Sequence, residues 1–332
     1  MRRIVVLSAS MLTSCLAFAF LNDPAYRYAR LHGANAKIGL HINDEHGVAV
    51  SNAQVCAFLG MNFREKGRWI KGFTNALGMF VIEGKTCGDE IELDISKDGY
   101  YNSRKKLCYA TMGAEHEVKD DKWQPYGDEL HITLRKKESP EDLIFEDFWV
   151  FKPTKAINQW VGFDICKNDF VKPNGSGDFA DFEVFFDWDG NVLSNYAGMS
   201  VELRFADKYS GYYVVPACRE SAFSGPYRAD AGREYDQKRA VFFEKVDERG
   251  GRTRKNFNDD ECWVVRTRCK IDEYGKLISC HYAAIRSVAY SCRKKGEASF
   301  CLSYVFNPTP NDTNLEPLRE RSKRGKRNMP QR

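Results

Sequence analysis

From Lys37 to about Arg135 the chain is cut into short stretches of alternating apolar and polar residues, separated by turns rich in Asp, Asn and Gly. This rhythm constrains the fold more than any other feature. Successive side chains of a strand point to opposite faces, so a period of two marks strands with one buried face and excludes long helices. Lys37 to Ile42 puts Ile38, Leu40 and Ile42 on one face, and Ala53 to Leu59 continues through Val55 and Ala57. Trp69 to Phe73, Met79 to Ile82, Glu90 to Ile95, Tyr101 to Tyr109 and Glu129 to Leu134 follow. About seven short strands at this spacing suit a Greek-key sandwich.

Arg135 to Asp142 is charged, contains a proline and reads as a linker. A second β-rich domain is expected over 148–318, with strands at Trp160 to Cys166, Phe182 to Trp188, Met199 to Phe205, Tyr212 to Val215, Ala240 to Val246, Cys262 to Ile271 and Phe300 to Phe306. The segment 283–295 is open between helix and strand. Ile285, Val288, Ala289 and Cys292 would share a helix face, with Gly296 closing the end. Ser221 to Arg239 reads as a long surface insertion. Ahead of the first strand, Asp23-Pro24, then 25–32 and Gly33, carry the cap signals of a short helix. The fold class expected is all-β, with two sandwich-like domains, a short N-terminal helix and the open segment at 283–295.

The runs NDEHGVAVSNAQV (43–55), TNALGMFVIEG (74–84) and SKDGYY (96–101) together resemble the carboxypeptidase regulatory-like domain. Gly47, Ala53, Val55, Thr74, Asn75, Gly78, Phe80, Gly99 and Tyr100 stand at its pattern positions, and Ala49 replaces a frequent proline. The resemblance implies a transthyretin-like β-sandwich over 37–137, a non-catalytic accessory role and residence outside the cytoplasm. The blocks at 161–186, 270–282 and 306–317 resemble parts of uncharacterised exported bacterial proteins that pair such a module with a second domain.

The N-terminus agrees with export. Arg2 and Arg3 precede an uncharged apolar stretch, Ile4 to Phe20, of signal-peptide length. Two processing routes compete. Ala17-Phe18-Ala19 suits cleavage that removes 1–19, whereas Leu12-Thr13-Ser14-Cys15 resembles a lipobox, which would remove 1–14 and lipidate Cys15. Residues 20–36 then connect to the first domain. Either route leaves an even ten of the eleven cysteines, as an oxidising compartment would use them. Cys269 and Cys280 flank the turn at Asp272-Glu273-Tyr274-Gly275 and form the one pair that can be argued locally. A two-residue turn makes them face each other; a three-residue turn shifts the register and turns them to opposite faces.

The formal charge of +4 is set by the chain ends. The tail 319–332 holds seven basic residues and one acid and reads as disordered, while the body is net acidic. A nucleic-acid partner is therefore not expected, and a membrane only through a lipid anchor.

Each group of chemistry-bearing residues also has a structural role open to it. Asp164, Asp169, Asn174, Asp178 and Asp181 surround the loop Pro173-Asn174-Gly175-Ser176-Gly177, where oxygen ligands can hold Ca²⁺. The turn from Asp187 to Asn191 starts like an EF-hand loop but has Gly198 at the twelfth position, where Glu is required. Trp160, Tyr209, Tyr212 and Tyr213, with Trp188 and Tyr196, are candidates for stacking a glycan, against the commoner role of aromatics as core. His32, His41, His46, His116, His131 and His281 form no metal or nucleophile motif, and Gly-x-Ser-x-Gly is absent. No cofactor is expected. These observations point to an exported, non-enzymatic binding or structural module of a bacterial envelope, periplasmic, lipid-anchored or secreted, with an unknown protein or glycan partner. The alternatives are carbohydrate binding through the second domain and an unrecognised hydrolase there.

Overall fold

The structure is a computed structural model that describes residues 23–60, 67–88, 90–108, 118–146, 150–188, 199–246, 252–294 and 296–318. The export segment with Cys15, the tail 319–332, His116, Tyr196 and residues 189–198 lie outside them. The chain divides into two compact units: 1–137 with 220–222, and 138–219 with 223–332.

The first unit opens with α1 (Pro24–His32). Asp23 caps it by accepting from the Ala25 N–H at 2.9 Å, Pro24 starts the first turn, and Gly33 at φ 79° ends it. Its Tyr26 meets Trp123 edge to face at 5.8 Å. Nine strands follow: β1 (Ala34–Asp44), β2 (Gln54–Leu59), β3 (Arg68–Phe73), β4 (Met79–Thr86), β5 (Glu90–Ser96), β6 (Ser103–Cys108), β7 (Val118–Lys119), β8 (Lys122–Trp123) and β9 (Asp128–Leu134). β1 pairs antiparallel with β4 and parallel with β8 and β9, and the hairpin β7–β8 extends that sheet. The second sheet runs β3-β2-β5-β6. Alternation decides which residues meet between the sheets: Ile38, Leu40 and Ile42 of β1, Val55, Ala57 and Leu59 of β2, and Ile91, Leu93 and Ile95 of β5 share one buried cluster. Each Val, Leu or Ile among them contributes roughly 1.5–3 kcal/mol by leaving water.

The pattern residues of the first unit have definite structural work. The Thr74 hydroxyl accepts from the Ala53 N–H at 2.8 Å and donates to the Val50 carbonyl at 2.7 Å, tying the start of β2 to the end of β3. Asn75 accepts from the N–H groups of Leu77 and Met79, both at 2.9 Å, which closes the turn before β4. Gly78 in that turn has φ 72°, and a Cβ there would lie 2.4 Å from the Ile42 carbonyl oxygen. Only glycine fits both constraints. Asp44 repeats the device, accepting from His46 and Val48.

The second unit contains β10 (Ile144–Glu146), β11 (Lys152–Thr154), β12 (Trp160–Asp164), β13 (Asp169–Phe170), β14 (Phe182–Trp188), β15 (Met199–Arg204), β16 (Gly211–Pro216), β17 (Ala240–Val246), β18 (Arg252–Lys255), β19 (Glu261–Ile271), β20 (Leu277–Lys294) and β21 (Glu297–Asn307). One sheet runs β13-β12-β14-β15-β17-β18, the other β10-β21-β20-β19-β16 with β11 also on β21. Their facing sides pack an aromatic-rich core. Phe300 stands within 5.3–6.4 Å of the rings of Phe163, Phe170, Phe182 and Phe186.

One open reading is decided here and one expectation is corrected. The open segment 283–295 is not a helix; β20 runs through it to Lys294. The reason is that its sheet is covered on both faces. Ala283, Ile285 and Val288 face the central core, while Cys280, Tyr282 and Ala284 join a further cluster on the other face. A strand buried on both sides loses its period of two, and the apolar residues then mimic a helix face. The cover comes from the supposed surface insertion: Ala229 and Tyr235 are buried in that further cluster, joined by Leu315. The expected linker is likewise held in place. Buried Glu316 accepts from the N–H groups of Glu138 and Ser139 at 3.0 and 2.6 Å, and the Asn314 amide donates to the Ser139 carbonyl and the Glu141 carboxylate.

Candidate functional site

The acidic loop of the second unit folds around Arg268, a residue of β19 far from that loop in sequence. Thr267 pairs with His281 and Lys270 with Ser279, so Arg268 and Cys269 together stand opposite Cys280. This is a β-bulge, and Arg268 adopts φ 52° within it. The bulge turns two consecutive side chains the same way. The Thr267 hydroxyl donates to Asp181 Oδ1 at 3.0 Å, and Arg268 grips Asp181 with Nε and Nη2 at 2.8 and 2.9 Å. Nη2 also reaches Asp164 Oδ1 at 2.7 Å. The side chains of Asp164 and Asp181 are 3% and 0% exposed, so both charges depend on this one guanidinium. Burial pulls the Arg268 pKa down, but the hydrogen bond and charge of Asp181 outweigh it and hold it above its ordinary value.

The remaining lone pairs of these carboxylates are taken by backbone. Asp164 Oδ2 accepts from the N–H groups of Asp178 and Phe179, and Asp181 Oδ2 from that of Ile165. Asp169 accepts from the Ser176 N–H and hydroxyl, at 3.0 and 2.7 Å, while Asp178 pairs with Lys172 at 2.7 Å. Of the four aspartates singled out for Ca²⁺, Asp164 and Asp181 thus close on Arg268 while Asp169 and Asp178 serve other donors, and Asn174 uses its N–H in a turn to the Val171 carbonyl. Among the described residues no group of three or more His, Cys, Asp or Glu converges as metal ligands would.

Next to the bulge, His281 stacks on Phe306 at 5.7 Å and faces the Asn307 carbonyl at 3.4 Å. Burial lowers its pKa below 6.5, against the Asn307 hydrogen bond and with help from the Arg268 charge. A depressed folded-state pKa means that His281 favours folding fully above its unfolded value and loses that contribution as pH falls through the folded one. Urea midpoints measured between about pH 7.5 and 5 should therefore fall more steeply for the wild type than for His281→Gln. Equal slopes would refute this assignment.

The four aromatic candidates do not share a surface. Trp160 lies on the outer side of its sheet, stacked by the Arg204 guanidinium at 3.9 Å and flanked by Phe185 at 5.3 Å. Tyr212 is half-buried against the central core, stacked on Trp263 at 4.4 Å. Tyr213, next along β16, points to the opposite face, where its hydroxyl accepts from the Asp230 N–H at 2.8 Å. The Tyr209 hydroxyl donates to the Gly275 carbonyl. Trp188 packs against the central core. A cavity of about 10 Å³ between the sheets is lined by Phe182, Leu203, Phe205, Tyr212, Trp263 and Val288 among others, room for one water-sized sphere and with no carboxylate on its wall. Cys269 and Cys280 are thiols in the same cluster under the 223–239 cover.

No family model and no curated protein matches the chain. Solved structures align only loosely. A 3-chlorocatechol 1,2-dioxygenase from Rhodococcus opacus aligns at TM-score 0.24 and 12% identity, over 32% of this chain and 61% of the dioxygenase, so the chain spans about three-fifths of that relative. A DUF3823 family protein from Parabacteroides merdae aligns at TM-score 0.20 and 10% identity, over 82% and 98%. The shaft pilin SpaA of Lactobacillus rhamnosus GG aligns at TM-score 0.18 and 6% identity, over 86% and 95%. Scores this low carry no argument about function. No described helix is long and apolar enough to cross a membrane.

Proposed function

We propose that this protein is an exported, non-enzymatic module of a bacterial envelope that binds or braces a protein partner. The observation that carries the reading is the closure of Asp164 and Asp181 on Arg268. These two buried carboxylates of the second unit hold loop to sheet, rather than standing in a cleft as an acid–base pair would. The regulatory-like pattern of the first unit supports the same role. So does the edge strand β3, where Trp69, beside Phe58, and Phe73 are 50% and 61% exposed. Exposed aromatics on one edge are common at protein interfaces. In this reading the N-terminal segment directs export, and either Cys15 becomes the lipid-bearing first residue or cleavage after Ala19 frees a soluble chain. For glycan binding by the second unit, the rival reading, Trp160, Tyr209, Tyr212 and Tyr213 form no shared platform among the described residues.

The test uses the full-length protein. A photoreactive residue at position 69 or 73, introduced in the exporting cell, is expected to give a discrete crosslinked protein. Trp69→Ala and Phe73→Ala should each weaken binding of that protein about tenfold or more. Turnover of glycosides, esters or peptides that tracks with the protein through successive purifications would sink the non-enzymatic reading.

A further inference from the structure

The hairpin between β19 and β20 resolves the register question in an unexpected way. Its turn spans three residues: Asp272 and Lys276 pair through N–H and carbonyl, and Ile271 stands opposite Leu277. Asp272 closes it by accepting from the N–H groups of Tyr274 and Lys276 at 3.0 and 2.8 Å. Continued without change, that register would put Arg268 opposite Cys280. The pairing instead shifts by one, so that Lys270 meets Ser279 with Ile278 as the extra residue on β20. One pair further in, this places Cys269 opposite Cys280. The bulge at Arg268 then restores the first register at Thr267 and His281. Two compensating irregularities thus enclose the one stretch where the cysteines face each other, and the same bulge that sends Arg268 to Asp181 sends Cys269 to the other face.

Both thiols lie in the cluster covered by 223–239. The Ser210 hydroxyl donates to Cys269 Sγ at 3.6 Å, and the Cys280 thiol donates to the Tyr282 hydroxyl at 3.2 Å. Facing residues of antiparallel strands have Cβ atoms about 4.5–5.5 Å apart, and a disulfide needs about 3.5–4.5 Å. A small local approach suffices. Cys262, the other described cysteine of β19, is seven residues along the strand, roughly 23 Å away at the strand rise.

We propose that Cys269 and Cys280 are a modification site, closing as a cross-strand disulfide in the mature protein. The oxidant is a disulfide, small-molecule or protein. One cysteine thiolate attacks it to form a mixed disulfide, and the second displaces the leaving thiolate. The pair loses two protons and two electrons, and the oxidant's S–S bond becomes two thiols. Burial, against the Ser210 hydrogen bond, pushes the Cys269 thiol up to about 11. Its thiolate is scarce at neutral pH, so closure with a small oxidant should accelerate as pH rises.

The experiment takes full-length protein treated with oxidised glutathione, unfolds it, alkylates it before any reduction, and maps the peptides. Cleavage after Lys and Arg separates Cys262, Cys269 and Cys280. The expected product joins the Cys269 and Cys280 peptides, is lighter by two hydrogens, and disappears on reduction. Alkyl groups on both cysteines without reduction, or either one linked to a different cysteine, would overturn the proposal. Cys269→Ser should lower the unfolding midpoint only in the absence of reductant. An equal midpoint for variant and wild type there also overturns it.

Discussion

Arg268→Ala is expected to lower the stability of the second unit by about 3–5 kcal/mol. The loss comes from what remains behind. Asp164 and Asp181 would keep their burial without the one side-chain cation that pairs with them among the described residues, and a buried unpaired carboxylate is far more costly than the pair it came from. Arg268→Lys should recover only part of the loss, because an ammonium cannot make the two parallel hydrogen bonds to Asp181. Arg268→Ala combined with Asp181→Asn should be less damaging than the two single losses added together, since one stranded charge is gone. Denaturant unfolding followed by Trp263 fluorescence measures all three. If Arg268→Ala unfolds at the wild-type midpoint, the clasp is ornamental.

Phe300→Ala should cost a similar amount, about 3–5 kcal/mol, for a different reason. Phe300 is fully buried on β21, and its ring is the common neighbour of Phe163, Phe170, Phe182 and Phe186, all from the facing sheet. Truncation removes the transfer free energy of the ring and leaves a hole that four rigid rings cannot easily fill. Phe300→Leu, which keeps much of the volume, should cost markedly less. The same unfolding assay decides it, and equal losses for both variants would mean that the core collapses around the site.

Much of this architecture was legible in the residues, because one-faced strands announce themselves. All seven strands expected in the first unit are present, and the cap residues Asp23, Pro24 and Gly33 bound α1 as their chemistry predicts. The second unit was less legible where tertiary cover erases local pattern. β20 has apolar residues on both faces, and β10, β11 and β13 are two or three residues long and depend on their neighbours. The candidate site failed differently. Its aspartates were found from their loop, but the residue that organises them sits about ninety positions away in a bulge, and strand spacing cannot announce a bulge. The one available signal was an arginine pair, Arg266 and Arg268, directly after the apolar run Cys262 to Val265.

The covered sheet has a consequence for how this chain can change over evolutionary time. A two-layer sandwich can drift freely on its outward faces and can lengthen or shed loops at its ends. Here the segment 223–239 is a third layer, and Tyr213, Val264, Tyr282 and Ala284 are interior because of it. Relatives that lost that segment would have to change those strand positions as well, so the cover and the sheet form a single inherited unit.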